Sequence, residues 1–193
     1  MEAIGNKVVI DIKKPYALSK FSEGFISILS NVYTKEYGKI IVLCIGSDRS
    51  TGDCLGPLVG YKLRLIKYKE ICIYGTLDEP VHAKNLQEVI DHIYGEYESP
   101  FIIGIDASLG EAKNIGCISI GMGPLKPGAG LYKNLPLIGH MHITGTVNIG
   151  GFLEFLILQN TRLGLVMKMA DIISNGIHYG LWKVVLDSRM DGV

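Results

Sequence analysis

The chain lacks an excess of charge of either sign. Its 193 residues carry 19 lysines and arginines against 19 aspartates and glutamates. That balance gives no support to nucleic acid or an anionic membrane as partner, since both select for accumulated positive charge. An uninterrupted apolar run of the roughly 18 residues that a membrane span requires is also missing. The opening segment, MEAIGNKVVIDIKKPYALSK, is broken by charges and has no signal-peptide core. The expectation is a cytoplasmic protein. Cysteine is scarce, with four residues (Cys44, Cys54, Cys72, Cys117) and no C-x-x-C pair, as suits an intracellular chain. Three of them sit in apolar runs and read as small buried residues. Cys54 opens a helix, where a thiol pKa can fall, yet no histidine adjoins it in sequence.

Phosphate-binding signatures are absent too. In IVLCIGSDRSTGDCLGPLVG, residues 40–59, Gly46 and Gly52 have the wrong spacing for G-x-x-x-x-G-K-[ST]. Asp53 stands where that loop needs lysine and would repel a phosphate. A G-x-G-x-x-G dinucleotide fingerprint is missing as well.

What the chain does have is apolar residues, 48% of the total, enough for one domain over residues 1–193 with a substantial core. Residues 17–36 carry a helical rhythm. Strands are expected at 40–45, 71–75 and 101–108, with helices at 54–67 and 81–96 between them. That alternation predicts an α/β, doubly wound parallel sheet. GCISIGMGPL, 116–125, is a strand with no helix before it, so it is expected to pair antiparallel at an edge. LPLIGHMHITG follows as a further strand. Two helices, about 149–160 and 162–178, close the chain, with a kink as the other reading of the break at Thr161.

Two carboxylates stand out. Asp53 lies past the first apolar strand at a helix N-terminus, where the dipole favours its ionised form. A plain helix cap is the competing explanation. Asp106 ends the run IIGID, and a charge there is costly without a partner or a task. With strand order 2-1-3 these two strands are neighbours, and connections leaving to opposite faces open a crevice at their carboxyl ends. Asp53 and Asp106 would meet there and share a proton. One then serves as general base for water and the other as general acid, which suits amide hydrolysis.

Other residues are candidates on weaker signals. Asp48 and Arg49 share the turn with Asp53 and could line the crevice, Arg49 pairing with a carboxylate or a substrate terminus. Asp78, Glu79 and His82 could join Asp106 in a metal site, although helix capping explains the two acids and places His82 in a first helical turn. Gly128, Ala129 and Gly130, in KPGAGLYKN, offer backbone N–H groups to an extended peptide or an oxyanion. His140 and His142 share one strand face. Met167 and Met169 read as core or as partner surface, and the apolar last helix suits a homo-oligomer.

The motifs IGSDRSTGDCLGPLVG, GTLDEPVHAKNL, IIGIDASLG and KPGAGLYKNLP, taken in order, resemble the YyaC-like sporulation proteins of spore-forming Firmicutes. The likeness covers roughly residues 38–178. D-x-L-G-P after the first strand and I-D-A at a strand end are also similar to the spore germination protease, whose catalytic aspartates would fall on Asp53 and Asp106. Hydrogenase maturation endopeptidases are similar at the same two positions and add a metal-holding histidine that has no clear counterpart here. The resemblance implies a three-layer α/β/α domain of the phosphorylase/hydrolase-like type, with a mostly parallel five-stranded sheet and one antiparallel strand. It also implies a sporulation-linked peptidase acting on a protein or peptide, the forespore being one location. The shared-proton mechanism needs no cofactor and no metal. Two alternatives stay open. One is a metal-dependent, maturation-type endopeptidase using Asp53, Asp106 and His82 or His140. The other is a non-catalytic binding or scaffold protein on an enzyme fold.

Overall fold

A computed structural model describes residues 7–127 and 135–186. Its strands are β1 (Lys7–Asp11), β2 (Lys39–Cys44), β3 (Ile71–Tyr74), β4 (Pro100–Gly110), β5 (Cys117–Met122) and β6 (Met141–Ile149). Its helices are α1 (Ala17–Val32), α2 (Leu55–Leu63), α3 (Leu86–Glu96), α4 (Glu154–Gln159) and α5 (Leu163–Leu181). The sheet order is β1-β5-β6-β4-β2-β3.

β6, β4, β2 and β3 are mutually parallel, and β5 runs antiparallel to both of its neighbours, β6 and β1. The fold is therefore α/β with a mostly parallel sheet and one reversed strand, as the sequence implies. The strand count is corrected from five to six. The added strand, KVVID, is short, flanked by charge and exposed at Val9, so its own pattern is weak. It forms because β5 offers a free ladder. For the same reason β5 is an interior strand and not the expected edge.

β2 and β4 form the middle of the core. Ile40 through Cys44 and Phe101 through Ile105 are buried on both faces, which is why they read as unbroken apolar runs and not as alternation. On one face lie α1, α2 and α5, bringing Phe21, Phe25, Leu29, Val59 and Met169 against Val42, Ile103 and Ile143. On the other, α3 sets Leu86, Ile90 and Ile93 over Ile41, Leu43 and Ile102. Three layers result. α1 and α5 approach closely because α5 has no side chain at the crossing: a Cβ on Gly176 would sit 2.1 Å from the Phe21 ring. Burial of each of these phenylalanines contributes roughly 1.5–3 kcal/mol.

The helices expected at 54–67, 81–96 and about 149–160 are all shorter than their patterns. α3 begins at Leu86 because Val81 still pairs with Ile45 as a β-bridge. α4 and α5 are separate helices, not one kinked helix. Thr161 sits between them, its hydroxyl donating to the Ile157 carbonyl at 2.9 Å. No helix follows β4, which reaches β5 through a 3-10 turn at Ala112–Asn114. The connections that leave to opposite faces are those after β2 and β3, carrying α2 and α3. Among the described residues no helix is long and apolar enough to cross a membrane.

Candidate active site

The carboxyl ends of β2 and β4 and the connection between β3 and α3 are tied together just past Cys44. The Ile45 N–H donates to the Ile105 carbonyl at 2.7 Å, and the Gly46 N–H to the Val81 carbonyl at 2.8 Å. Gly46 then turns the chain with φ near 143°, and a Cβ there would lie 2.0 Å from the carbonyl oxygen of Asp53. Glycine is needed at that point, since a side chain would push the returning turn off the strand end.

Residues 47–53 form a pinned turn. The Arg49 N–H donates to Ser47 Oγ at 3.2 Å, and the Cys54 N–H to the Ser50 carbonyl at 3.0 Å. The Gly52 N–H donates to the Leu158 carbonyl at 2.8 Å, which fixes the turn to the end of α4. Asn148 on β6 reaches the same junction, its amide donating to Thr161 Oγ1 at 3.2 Å.

Asp53 does not cap α2. The N-cap is Cys54, without a side-chain cap bond. The Asp53 carboxyl accepts the Ser47 N–H across the turn. Burial pushes its pKa above the ordinary carboxylate value, and the Ser47 N–H and the nearby His82 oppose that rise. A carboxylate held this way retains its proton to a higher pH than a solvated one. Asp106 is buried, with 6% of its surface exposed. It stands one residue past Ile105, paired in register with Thr144 on β6. By strand alternation it shares the face of Ile102 and Gly104, on the side covered by α3. The tertiary fold thus puts Asp53 past the end of β2 and Asp106 on its neighbour β4, at the same end of the sheet.

His82 belongs to this corner. It directly follows Val81, before α3 and not in its first turn as the sequence pattern suggested. Asn85 marks the true helix start: it holds the N-cap position, and its Oδ1 accepts the His82 N–H at 2.8 Å. The preference of asparagine for N-caps is the signal that could have located the helix start. Two buried polar atoms in this region, His82 Nδ1 and Ser50 Oγ, have no hydrogen-bond partner among the described residues. Buried polar atoms are nearly always paired, with protein or with ordered water.

The remaining candidates are dispersed. Asp48 and Arg49 are exposed on the turn, and Asp78 and Glu79 are exposed on the connection after β3. Gly128, Ala129 and Gly130 lie outside the described residues. His140 is corrected as a partner for the aspartates. Its Nδ1 accepts the Ile102 N–H at 3.1 Å and its ring stacks on Phe101 at 5.1 Å. Ile102 is about 13 Å along β4 from Asp106. His142 Nδ1 is engaged with the Gly123 carbonyl at 3.0 Å. Among the described residues no three His, Cys, Asp or Glu side chains gather as a metal site. The Cys54 thiol is pushed up to about 11 by burial, and then by the charges of Asp48 and Asp53, which removes it as a nucleophile at neutral pH. Two surface cavities, about 280 Å³ beside Lys62 and Asp171 and about 240 Å³ beside Tyr33 and Glu70, lie away from the carboxylates.

The fold and the sequence have counterparts among known proteins. The fold is similar to that of the [NiFe] hydrogenase maturation protease HycI from Thermococcus kodakarensis KOD1. The match has a TM-score of 0.51 and 18% identity, covering 80% of this chain and 98% of that one. In sequence, the chain is 52% identical over 152 residues to the uncharacterized protein YyaC of Bacillus subtilis (strain 168), covering 78% of this chain and 74% of that protein. The model of a family described as "Protein of unknown function (DUF1256)" matches residues 11–176. That span holds five of the six strands and the last residue of β1, along with both aspartates and His82, and the chain belongs to the DUF1256 family.

Proposed function

We propose that this protein is a peptidase-like hydrolase that cleaves an amide bond in a protein or peptide, with Asp53 and Asp106 as its catalytic pair and sporulation as its setting. One observation carries the reading. Two carboxyl groups 53 residues apart in sequence arrive at the same end of adjacent parallel strands, one buried and the other held above its usual pKa by burial. Such pairs suit acid–base work at near-neutral pH. The protease fold of HycI supports the reaction class, and the resemblance to YyaC-like proteins supports the setting.

In the proposed reaction the ionised member takes a proton from water while the water oxygen bonds to the amide carbon. The protonated member gives its proton to the leaving nitrogen as the C–N bond breaks. Asp48 and Arg49, exposed at the rim, bind the flanking substrate, together with the backbone of Gly128, Ala129 and Gly130. The test is incubation of the full chain with a proteome-derived peptide library, reading new termini by mass spectrometry. Wild type is expected to generate them, and Asp53→Asn and Asp106→Asn to lose them. Cleavage that survives both substitutions overturns the reading.

A second reading has its own support. Phe152, Leu153, Phe155, Leu156 and Leu163 are exposed around the helix that holds Gly52, which suits a non-catalytic binding or scaffold protein. It prevails if a sporulation phenotype follows loss of the fold but not loss of the two carboxylates. A homo-oligomer formed through the exposed Tyr179 of the last helix and Trp182 just past its end is part of the same proposal, tested by sedimentation of wild type against Trp182→Lys.

A further inference from the structure

We infer that the outer face of α4 is a self-association surface, taken by a second copy of this chain about a two-fold axis. The two α4 helices then cross antiparallel, and Glu154 of each protomer meets the partner's Arg162. The inference does not rest on the peptidase reading above.

The surface itself is the first observation. Phe152 is 91% exposed, and Leu153, Phe155, Leu156 and Leu163 are each between 48% and 60% exposed. None of the five belongs to the core on either side of the sheet. At the size of large apolar side chains they expose roughly 600 Å² together. That is the upper end of what a monomer leaves in one apolar patch, about 300–600 Å². It also approaches the roughly 800 Å² per partner of a standard stable interface. The backbone is the second observation. Leu153 stands at φ 60, a left-handed conformation that leucine adopts at a cost and that glycine or asparagine adopts more easily. The turn holds Phe152 and Leu153 at the surface, where neither adds to the core of its own chain.

Charge complementarity is the third, and it names the occupant. Residues 149–163 carry one acid, Glu154, and one base, Arg162. Among the described residues neither has an ion-pair partner. Glu154 opens α4, and Arg162 stands just past its end at Gln159. A helix that crosses its own copy about a perpendicular two-fold axis runs antiparallel to it, so the start of one lies against the end of the other. Opposite charges at the two ends of one helix are then self-complementary, and the same pair forms twice. An anionic lipid surface selects a surplus of basic residues around an apolar face, and this face has one base against one acid.

This face is separate from the one at Tyr179 and Trp182. Tyr179 lies about 24 Å along α5 from Leu163, at 1.5 Å per residue. The α4 face adjoins the candidate site instead. The Gly52 N–H donates to the carbonyl of the buried Leu158 at 2.8 Å. The turn carrying Asp53 is thus tied to the inner side of the helix whose outer side the second copy covers.

The experiment is sedimentation velocity on the full chain carrying Trp182→Lys, which removes the other proposed contact. A dimer is expected. Adding Phe152→Ser is expected to weaken it by about thirtyfold or more. Glu154→Arg and Arg162→Glu, made separately, are each expected to weaken it by about tenfold or more, through two like-charge pairs. Mixed in equal amounts, these two variants are expected to pair with each other, because every contact again joins opposite charges. A monomer before any change on α4 overturns the inference, whether or not it pellets with anionic vesicles. So does a dimer that Phe152→Ser leaves intact, or a mixture that forms no mixed dimer. Should Trp182→Lys not fold, the same α4 variants in the otherwise unaltered chain decide, read by the mixed dimer. Peptide cleavage by a chain that stays monomeric supports the peptidase reading and sinks this inference alone.

Discussion

Gly46 rests against Asp53: a Cβ on the first would stand 2.0 Å from the carbonyl oxygen of the second. The end of β2 and the turn that returns over it share one close approach. Whatever Asp53 does, its position is set by the absence of a side chain seven residues earlier.

The first prediction tests that approach. Gly46→Ala meets both the clash and a φ near 143°, and is expected to cost roughly 2–4 kcal/mol of stability. Gly164→Ala is the control. It lies in the first turn of α5 with nothing within 4 Å of a new Cβ, and is expected to add about 0.5–1 kcal/mol. Urea unfolding of both variants gives the comparison. A neutral Gly46→Ala would mean that the turn relaxes freely.

A second prediction concerns pH. The Asp53 pKa is raised in the fold, first by burial. The folded state therefore binds this proton more tightly than the unfolded chain does. As pH rises from the ordinary carboxylate range through the raised folded value, the unfolded chain has already released its proton, and stability falls. Asp53→Asn, which can still accept the Ser47 N–H, removes that loss. It is expected to melt above wild type at pH 7, with the difference shrinking toward pH 3. Thermal melts at both pH values check this, and a difference that grows in acid contradicts it.

Cys54 gives a third. With its thiol pushed up to about 11 and only 8% of the residue exposed, it is expected to resist iodoacetamide at pH 7.5 in the native chain and to react once urea unfolds it. Peptide mapping reads both states. Rapid native alkylation of Cys54 would restore it as a candidate nucleophile.

The junction behind the Asp53 turn gives a fourth. Thr161 is buried, donates to the Ile157 carbonyl and accepts from Asn148. Thr161→Val keeps the shape and removes both bonds, at an expected cost of about 1–2 kcal/mol. Because Gly52 packs on Leu158 and Thr161, amide exchange at Gly52 is expected to speed up with it. Exchange unchanged at Gly52 would show the turn to be independent of this junction.

The sequence alone determined the middle of the molecule. The runs at 40–44 and 101–105 are buried on both faces, as strands inside a parallel sheet covered on both sides are. The adjacency of β2 to β4 that the sequence reading assumed is found, with β3 on the other side of β2, and the run ending in Asp106 places that carboxyl at a strand end. These features are local, because each strand carries its burial in its own residues. The tertiary structure alone decided the rest. β1 became a strand because β5 had a free edge, a fact about a segment more than 100 residues away. Asp53 turned from the helix to the Ser47 N–H, although a cap was the simpler local reading. His82 came to this end of the sheet through the bridge of Val81 to Ile45, and His140 was taken to the far end by its bond to Ile102. Period and composition report which face a residue buries. They do not report which distant backbone supplies the partner, since that depends on how the strand ends are brought together in space.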